Sequence, residues 1–128
     1  MGHYLLDTHT AIWYFSGDDA LSKTAKEIIL PLSNQIYLSI ISAWEIAIKL
    51  NIGKLDIDGN TADFFRDAET NGFIFLPIKP SHLAVYETLP MLHRDPFDRL
   101  LIATALDEQM TLISADKNIA QYNVPLIW

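Results

Sequence analysis

Four short apolar runs recur along the chain, Tyr4-Leu5-Leu6, Gln35 to Ile41, Phe73 to Leu76 and Met110 to Ile113, each bounded by polar or turn-forming residues. Runs of that length and composition read as buried strands. Between them the apolar positions take helical spacing. The segment Ala11 to Phe15 follows the first run, and a helix over Lys23 to about Leu30 is broken by Pro31. A helix opening at Ser42 reaches Leu50, with Gly53 as its stop, and another runs from Asn60-Thr61 through Phe64, Phe65, Ala68 and Glu69 to Gly72. Ser81 to Leu89 is amphipathic and ends at Pro90; after it, Leu101, Ile102, Ala105 and Leu106 form the apolar face of a helix that starts at Asp95-Pro96. Val124 to Trp128 completes the pattern as a short last strand. Strands alternating with helices predict an α/β fold whose mostly parallel sheet is covered on both faces. No repeat, linker or low-complexity segment divides it, so residues 1–128 read as a single domain.

Composition narrows the chemistry. Half of the 128 residues are apolar, enough for a chain of this length to bury roughly two thirds of its unfolded surface. The absence of cysteine excludes disulfides, thiolate zinc sites and cysteine nucleophiles together, so any metal must be held by oxygen or imidazole. No apolar run approaches the eighteen or so residues of a membrane span, and no signal-peptide pattern opens the chain, so a soluble, cytoplasmic protein without membrane partners is expected. Sixteen acidic against nine basic residues give a net charge of −7, which opposes non-specific attraction to nucleic acid and suits a basic protein partner. An acid excess has a second meaning if the carboxylates cluster: a cluster is tolerable only when a cation neutralises it.

Carboxylates do recur at the junctions between elements. Asp7 ends the first strand, Glu45 lies just inside the helix after the second, Asp98 lies in the first turn of the helix capped by Asp95, and Asp116 follows the fourth strand. Each has a local reading. Asp7 suits a cap, Ser42 with Glu45 matches a capping box, Asp98 complements a helix dipole for about 0.3–1 kcal/mol, and Asp116 suits a turn. Lys49 stands four residues after Glu45, placed to pair with it or to reach a phosphate. His9 and His82 read as surface residues, and Trp13, Tyr14 and Phe15 as core. In a parallel α/β topology, however, all four acids fall on the carboxyl edge of the sheet, where ligands bind. Four carboxylates there require a hard divalent cation, Mg²⁺ or Mn²⁺ rather than Zn²⁺. Such an ion activates water and stabilises a leaving oxygen, which makes phosphodiester hydrolysis the natural reaction. No P-loop, G-x-S-x-G or G-x-G-x-x-G pattern competes.

Leu5-Leu6-Asp7-Thr8-His9, Ser42 to Lys49, His93 to Ala103 and Leu112 to Asp116 resemble the successive motifs of PIN domains, and among these the VapC-like toxins of type II toxin–antitoxin systems. The resemblance spans nearly the whole chain. It implies a Rossmann-like α/β/α sandwich and a Mg²⁺- or Mn²⁺-dependent endoribonuclease with Asp7, Glu45, Asp98 and Asp116 as its acidic quartet. Asp7 and Asp98 would be the direct metal ligands, and Thr8 a supporting hydroxyl. Ser114 stands where the family often has Thr, keeping the hydroxyl, and Asp95 is assigned to the cap. A homodimer, an RNA substrate and a cognate antitoxin that blocks the acidic pocket are further implications. Arg94, Arg99 and Lys117 flank the acids, placed to hold phosphates, form local pairs or remain solvated. The rival readings are a catalytically silent PIN-like interaction module, a dehalogenase-type phosphatase and a receiver-like domain. His9 stands where the phosphatase needs a second acid, and the receiver's adjacent acid pair is missing.

Overall fold

The apolar runs become strands β1 (His3–Leu6), β2 (Gln35–Ser39), β3 (Ile74–Leu76) and β4 (Thr111–Ile113), joined by β5 (Leu126–Ile127), in a computed structural model that describes residues 2–128. They form one sheet in the order β3-β2-β1-β4-β5, and every pairing is parallel. Parallel neighbours need crossovers, and six helices supply them: α1 (Thr8–Ser16), α2 (Lys23–Ile29), α3 (Ile40–Asn51), α4 (Thr61–Thr70), α5 (Pro80–Thr88) and α6 (Pro96–Glu108). The expected mostly parallel sheet is thus wholly parallel.

Strand alternation sends side chains to two cores. Leu6 and Ile113, cross-strand partners, join Leu38, Ile46, Phe64 and Phe73 on one face, whereas Leu5 and Leu112, also partners, join Leu101, Ile102 and Ile119 on the other. Burial on both faces explains why the strands read as continuous apolar runs. Strand order reverses at β1, whose neighbours are β2 and β4. Chains leaving β1 and β4 therefore diverge to opposite faces and open a crevice at their carboxyl ends.

The second strand is shorter than its apolar run. It stops at Ser39, whose hydroxyl accepts from Ile41 N–H at 3.0 Å as the cap of α3, so Ile40 and Ile41 are helical. The Ser42–Glu45 capping box is therefore absent: both residues lie inside the helix, Ser42 at its third position and Glu45 at its sixth. His82 is a second correction. Read as a surface residue, it is fully buried between α5 and α6. Its Nδ1 accepts from the Lys79 backbone N–H at 3.1 Å, and its Nε2 lies 2.7 Å from Glu108 Oε2, which also meets Lys79 Nζ at 2.9 Å. A polar side chain enters a core when both ring nitrogens find partners, and helical periodicity does not reveal those partners.

Replacing His82 by Ala removes both contacts and leaves a cavity between α5 and α6. We expect a loss of about 2–4 kcal/mol in denaturant unfolding, from an unmet buried polar group plus a cavity term. A loss below about 0.5 kcal/mol would show that the clamp is dispensable.

Candidate active site

Asp7 leaves β1 at the crevice and caps α1, its Oδ1 accepting from Thr10 N–H at 2.7 Å. Its Oδ2 accepts from the hydroxyl of Ser114, the first residue after β4, and the Ser114 oxygen in turn accepts from Asp116 N–H at 3.0 Å. The two strands at the crevice are thus tied side chain to side chain. The carboxylate is 4% exposed, and that burial holds its pKa above the ordinary aspartate value against the opposing hydrogen bonds from Ser114 and Thr10.

Glu45 reaches the crevice from α3. The Thr8 hydroxyl, the residue after Asp7, lies 2.6 Å from Glu45 Oε1 and 3.1 Å from Ser42 Oγ, so its single proton goes to the carboxylate. Lys49 Nζ stands 3.4 Å from Glu45 Oε2, the i,i+4 alternative. Asp95 caps α6 by accepting from Phe97 and Asp98 N–H at 2.9 and 3.3 Å, as expected. Asp98, in the first turn, is half-buried. Burial first, and then the charges of Asp95, Asp116, Glu45 and Asp7, push its carboxyl up to about 8. Asp116 combines its two readings: its Oδ1 accepts from Asn118 N–H at 2.8 Å as a turn residue, while it lines a cleft of about 220 Å³ with Asp7, His9, Trp13 and Ala115.

Asp7 and Asp116 thus line one cleft, Glu45 is tied beside Asp7 through Thr8, and the charges of all three act on Asp98. The four acids are spread rather than clenched. Among the described residues, the one grouping whose ligand atoms all lie within 4.8 Å of one another is His82, Asp107 and Glu108, ten residues and roughly 15 Å further along α6 from Asp98. In that grouping Glu108 is already paired with Lys79 and hydrogen-bonded to His82. The open spacing of the quartet suits a hydrated hard cation, which needs only one or two carboxylates directly and keeps several waters.

Of the flanking cations, Arg94 and Lys117 are exposed, but Arg99 is buried. Its guanidinium donates to the Pro90 carbonyl at 2.8 Å and to Tyr122 Oη at 2.9 Å, and lies 5.1 Å from the Tyr86 ring centre. It cannot reach a phosphate. At the cleft mouth, exposed His9 packs near Trp13, whereas Tyr14 and Phe15 join the aromatic cluster with Phe64 and Phe73. Three site residues had no assigned role in the sequence. Thr10 anchors the start of α1 by donating to Ile113 O at 3.0 Å; His93 Nε2 lies 3.3 Å from Asp98 Oδ2; Tyr122 holds His93. The one sequence signal for His93 is its place at the head of the His93–Ala103 motif.

The profile of the PIN domain family matches residues 4–125. A search of curated proteins gives no match. Among solved structures, VapBC2 from Rickettsia felis bound to a promoter DNA fragment is similar at 16% identity and TM-score 0.75, covering 98% of each chain. A toxin–antitoxin complex from Klebsiella pneumoniae is similar at 22% identity and TM-score 0.64, covering 98% of this chain and 96% of that one. VapBC-1 from nontypeable Haemophilus influenzae is similar at 19% identity and TM-score 0.65, with the same coverage. At these identities the likeness is one of fold.

The raised Asp98 carboxyl has a sign that can be measured. Held at about 8 in the fold and near the usual aspartate value when unfolded, it binds its proton more tightly in the native state. Its contribution to metal-free stability is complete below about pH 4 and is lost as pH rises through about 8. Asn, the shape of the protonated acid, escapes that loss. Thermal unfolding of metal-free Asp98→Asn should exceed wild type at pH 8, with the gap closing toward pH 5; a pH-independent difference would contradict the convergent charges.

Proposed function

This chain belongs to the PIN domain family, and we propose that it is a Mg²⁺- or Mn²⁺-dependent endoribonuclease acting as the toxin of a toxin–antitoxin pair. PIN domains are generally nucleases and typically depend on a divalent metal. The observation that carries the reading is the gathering of acids at the β1–β4 edge: Asp7 and Asp116 line one cleft, Thr8 ties Glu45 beside Asp7, and the charges of all three act on Asp98. An all-oxygen donor set with a raised carboxyl fits a hard divalent cation, because the ion removes the repulsion that the fold otherwise sustains. Asp7 and Asp98 would hold it. When bound, it would lower the pKa of a water and stabilise the charge on the phosphodiester oxygens.

The rest follows from the chain's own groups. Ser114 and Thr10 fix both oxygens of Asp7, so that carboxylate is presented without reorganisation. Thr8 and Lys49 hold Glu45 from either side, which leaves it as the group to orient or accept a proton from the attacking water. Asp116, at the cleft wall, would complete the set. Since a net charge of −7 repels RNA at long range, binding would rest on local contacts at the cleft, where Arg94 and Lys117 are the exposed cations beside the acids.

Partners follow by likeness and by surface. The resemblance to toxin–antitoxin structures supports a cognate antitoxin that covers the acidic pocket. A homodimer is supported by the exposed apolar face of Trp44, Ile78 and Leu83, which borders a groove lined by Tyr86, Phe97 and Leu100. Trp44→Glu should then lower the sedimentation mass from dimer to monomer.

The direct test is cleavage of single-stranded RNA with Mg²⁺ or Mn²⁺ and with chelator, beside single-stranded DNA of the same sequence. Wild type should cut RNA only with metal. Asp7→Asn and Asp98→Asn should each lose about a hundredfold or more, at least the cost of an outer-shell partner. At metal near ten times its dissociation constant the wild-type melting midpoint should rise by roughly 3–7 °C, and that of Asp98→Asn should not. Cleavage that survives chelator, or a wild type that ignores metal, would sink the proposal.

A further inference from the structure

His93 lies in the turn before α6, nearly enclosed, with each ring nitrogen facing one partner. Nδ1 is 2.9 Å from Tyr122 Oη and Nε2 is 3.3 Å from Asp98 Oδ2. Which nitrogen carries the proton follows from Tyr122. Its hydroxyl oxygen accepts from Arg99 Nη1 at 2.9 Å and from the His93 backbone N–H at 3.3 Å, and both are donors that cannot accept. Those two bonds fill the acceptor capacity of the phenol oxygen. Its single proton must point at His93 Nδ1, which is then a bare acceptor, so the ring N–H is at Nε2 and faces Oδ2 of Asp98. Arg99 cannot lose its proton, and it is buried against Tyr86 and Tyr122, so the chain of donors runs in one direction only.

We propose that His93 is a positioning residue for Asp98: Arg99 orients Tyr122, Tyr122 sets the His93 tautomer, and the His93 Nε2–H fixes the Oδ2 of Asp98, leaving Oδ1 to face the crevice. The relay rests on the reading of Asp98 as a metal ligand. It differs from the contacts at Asp7, which come from the two strands at the crevice. Here the carboxylate is held by the turn preceding its own helix and by a tyrosine 24 positions further along the chain. A second hydrogen bond on the far oxygen of a ligating carboxylate fixes its orientation and raises metal affinity, typically by about 10–100-fold.

The test reads the tautomer and the affinity separately. In metal-free wild type, nitrogen NMR of labelled histidine should show His93 protonated at Nε2 and bare at Nδ1, and Tyr122→Phe should abolish that single-tautomer signature. In Mn²⁺ titrations followed by paramagnetic resonance, His93→Ala and His93→Asn should bind at least about tenfold more weakly than wild type. His93→Gln, whose terminal amide places an N–H near the Nε2 position, should recover most of the loss; a merely space-filling role would not separate Gln from Asn. Thermal unfolding without metal establishes that each variant compared is folded. An Nδ1–H tautomer, or unchanged Mn²⁺ affinity in folded His93→Ala, would overturn the relay. A wild type that binds no Mn²⁺ yet shows the Nε2–H tautomer would remove the metal reading of the pocket, while the orientation of Asp98 would stand on the tautomer.

Discussion

All five strands point the same way, and the rest of the molecule follows from that constraint. With no antiparallel strand among the described residues, every passage from strand to following helix occurs at one edge of the sheet, and every return occurs at the other. Residues distant in sequence are thereby brought to a shared rim: Asp7 after β1, Glu45 in the helix after β2, Ser114 and Asp116 after β4. Reversal of strand order at β1 then opens the rim between β1 and β4, so the acids meet at a crevice instead of lying along a flat edge.

That rim is electrostatically expensive for the metal-free chain. Asp7 is held above its ordinary pKa by burial, and Asp98 by burial together with its acidic neighbours. Nothing in the packing requires carboxylates there, because the two cores on either side of the sheet close with Leu, Ile, Phe and Ala. The fold tolerates the repulsion by engaging individual oxygens: Ser114 and Thr10 on Asp7, Thr8 and Lys49 on Glu45, His93 on Asp98. Each of these bonds holds a carboxylate in a chosen direction, so the groups that limit the strain also organise the site.

Structural and chemical roles are not exclusive at these positions. Asp7 caps α1 with one oxygen and meets the crevice with the other, and Asp116 closes a turn while lining the cleft. A local reading of either residue was correct and incomplete. Helix N-termini collect acids for reasons of capping and dipole, and in a parallel sheet those N-termini are the functional edge. Glu45 is the exception. Its local reading failed because Ser39, hidden at the end of an apolar run, starts the helix three residues before Ser42.

The alternation of apolar runs with helical spacing determined the α/β class, the strands and their approximate limits, because burial on two faces leaves a one-dimensional record. It also determined Asp95 as the cap of α6 and placed Asp7, Asp98 and Asp116 at element ends, since caps and turns depend on residues three or four positions apart. Tertiary structure alone decided the strand order, the hydroxyl of Ser114 on an aspartate 107 residues away, the burial of His82 against Glu108, and the removal of Arg99 from the surface to hold Tyr122. These contacts join side chains whose separation along the chain carries no periodic signal. A buried polar group is explained by its partner, and the partner is known only once the chain has closed around it.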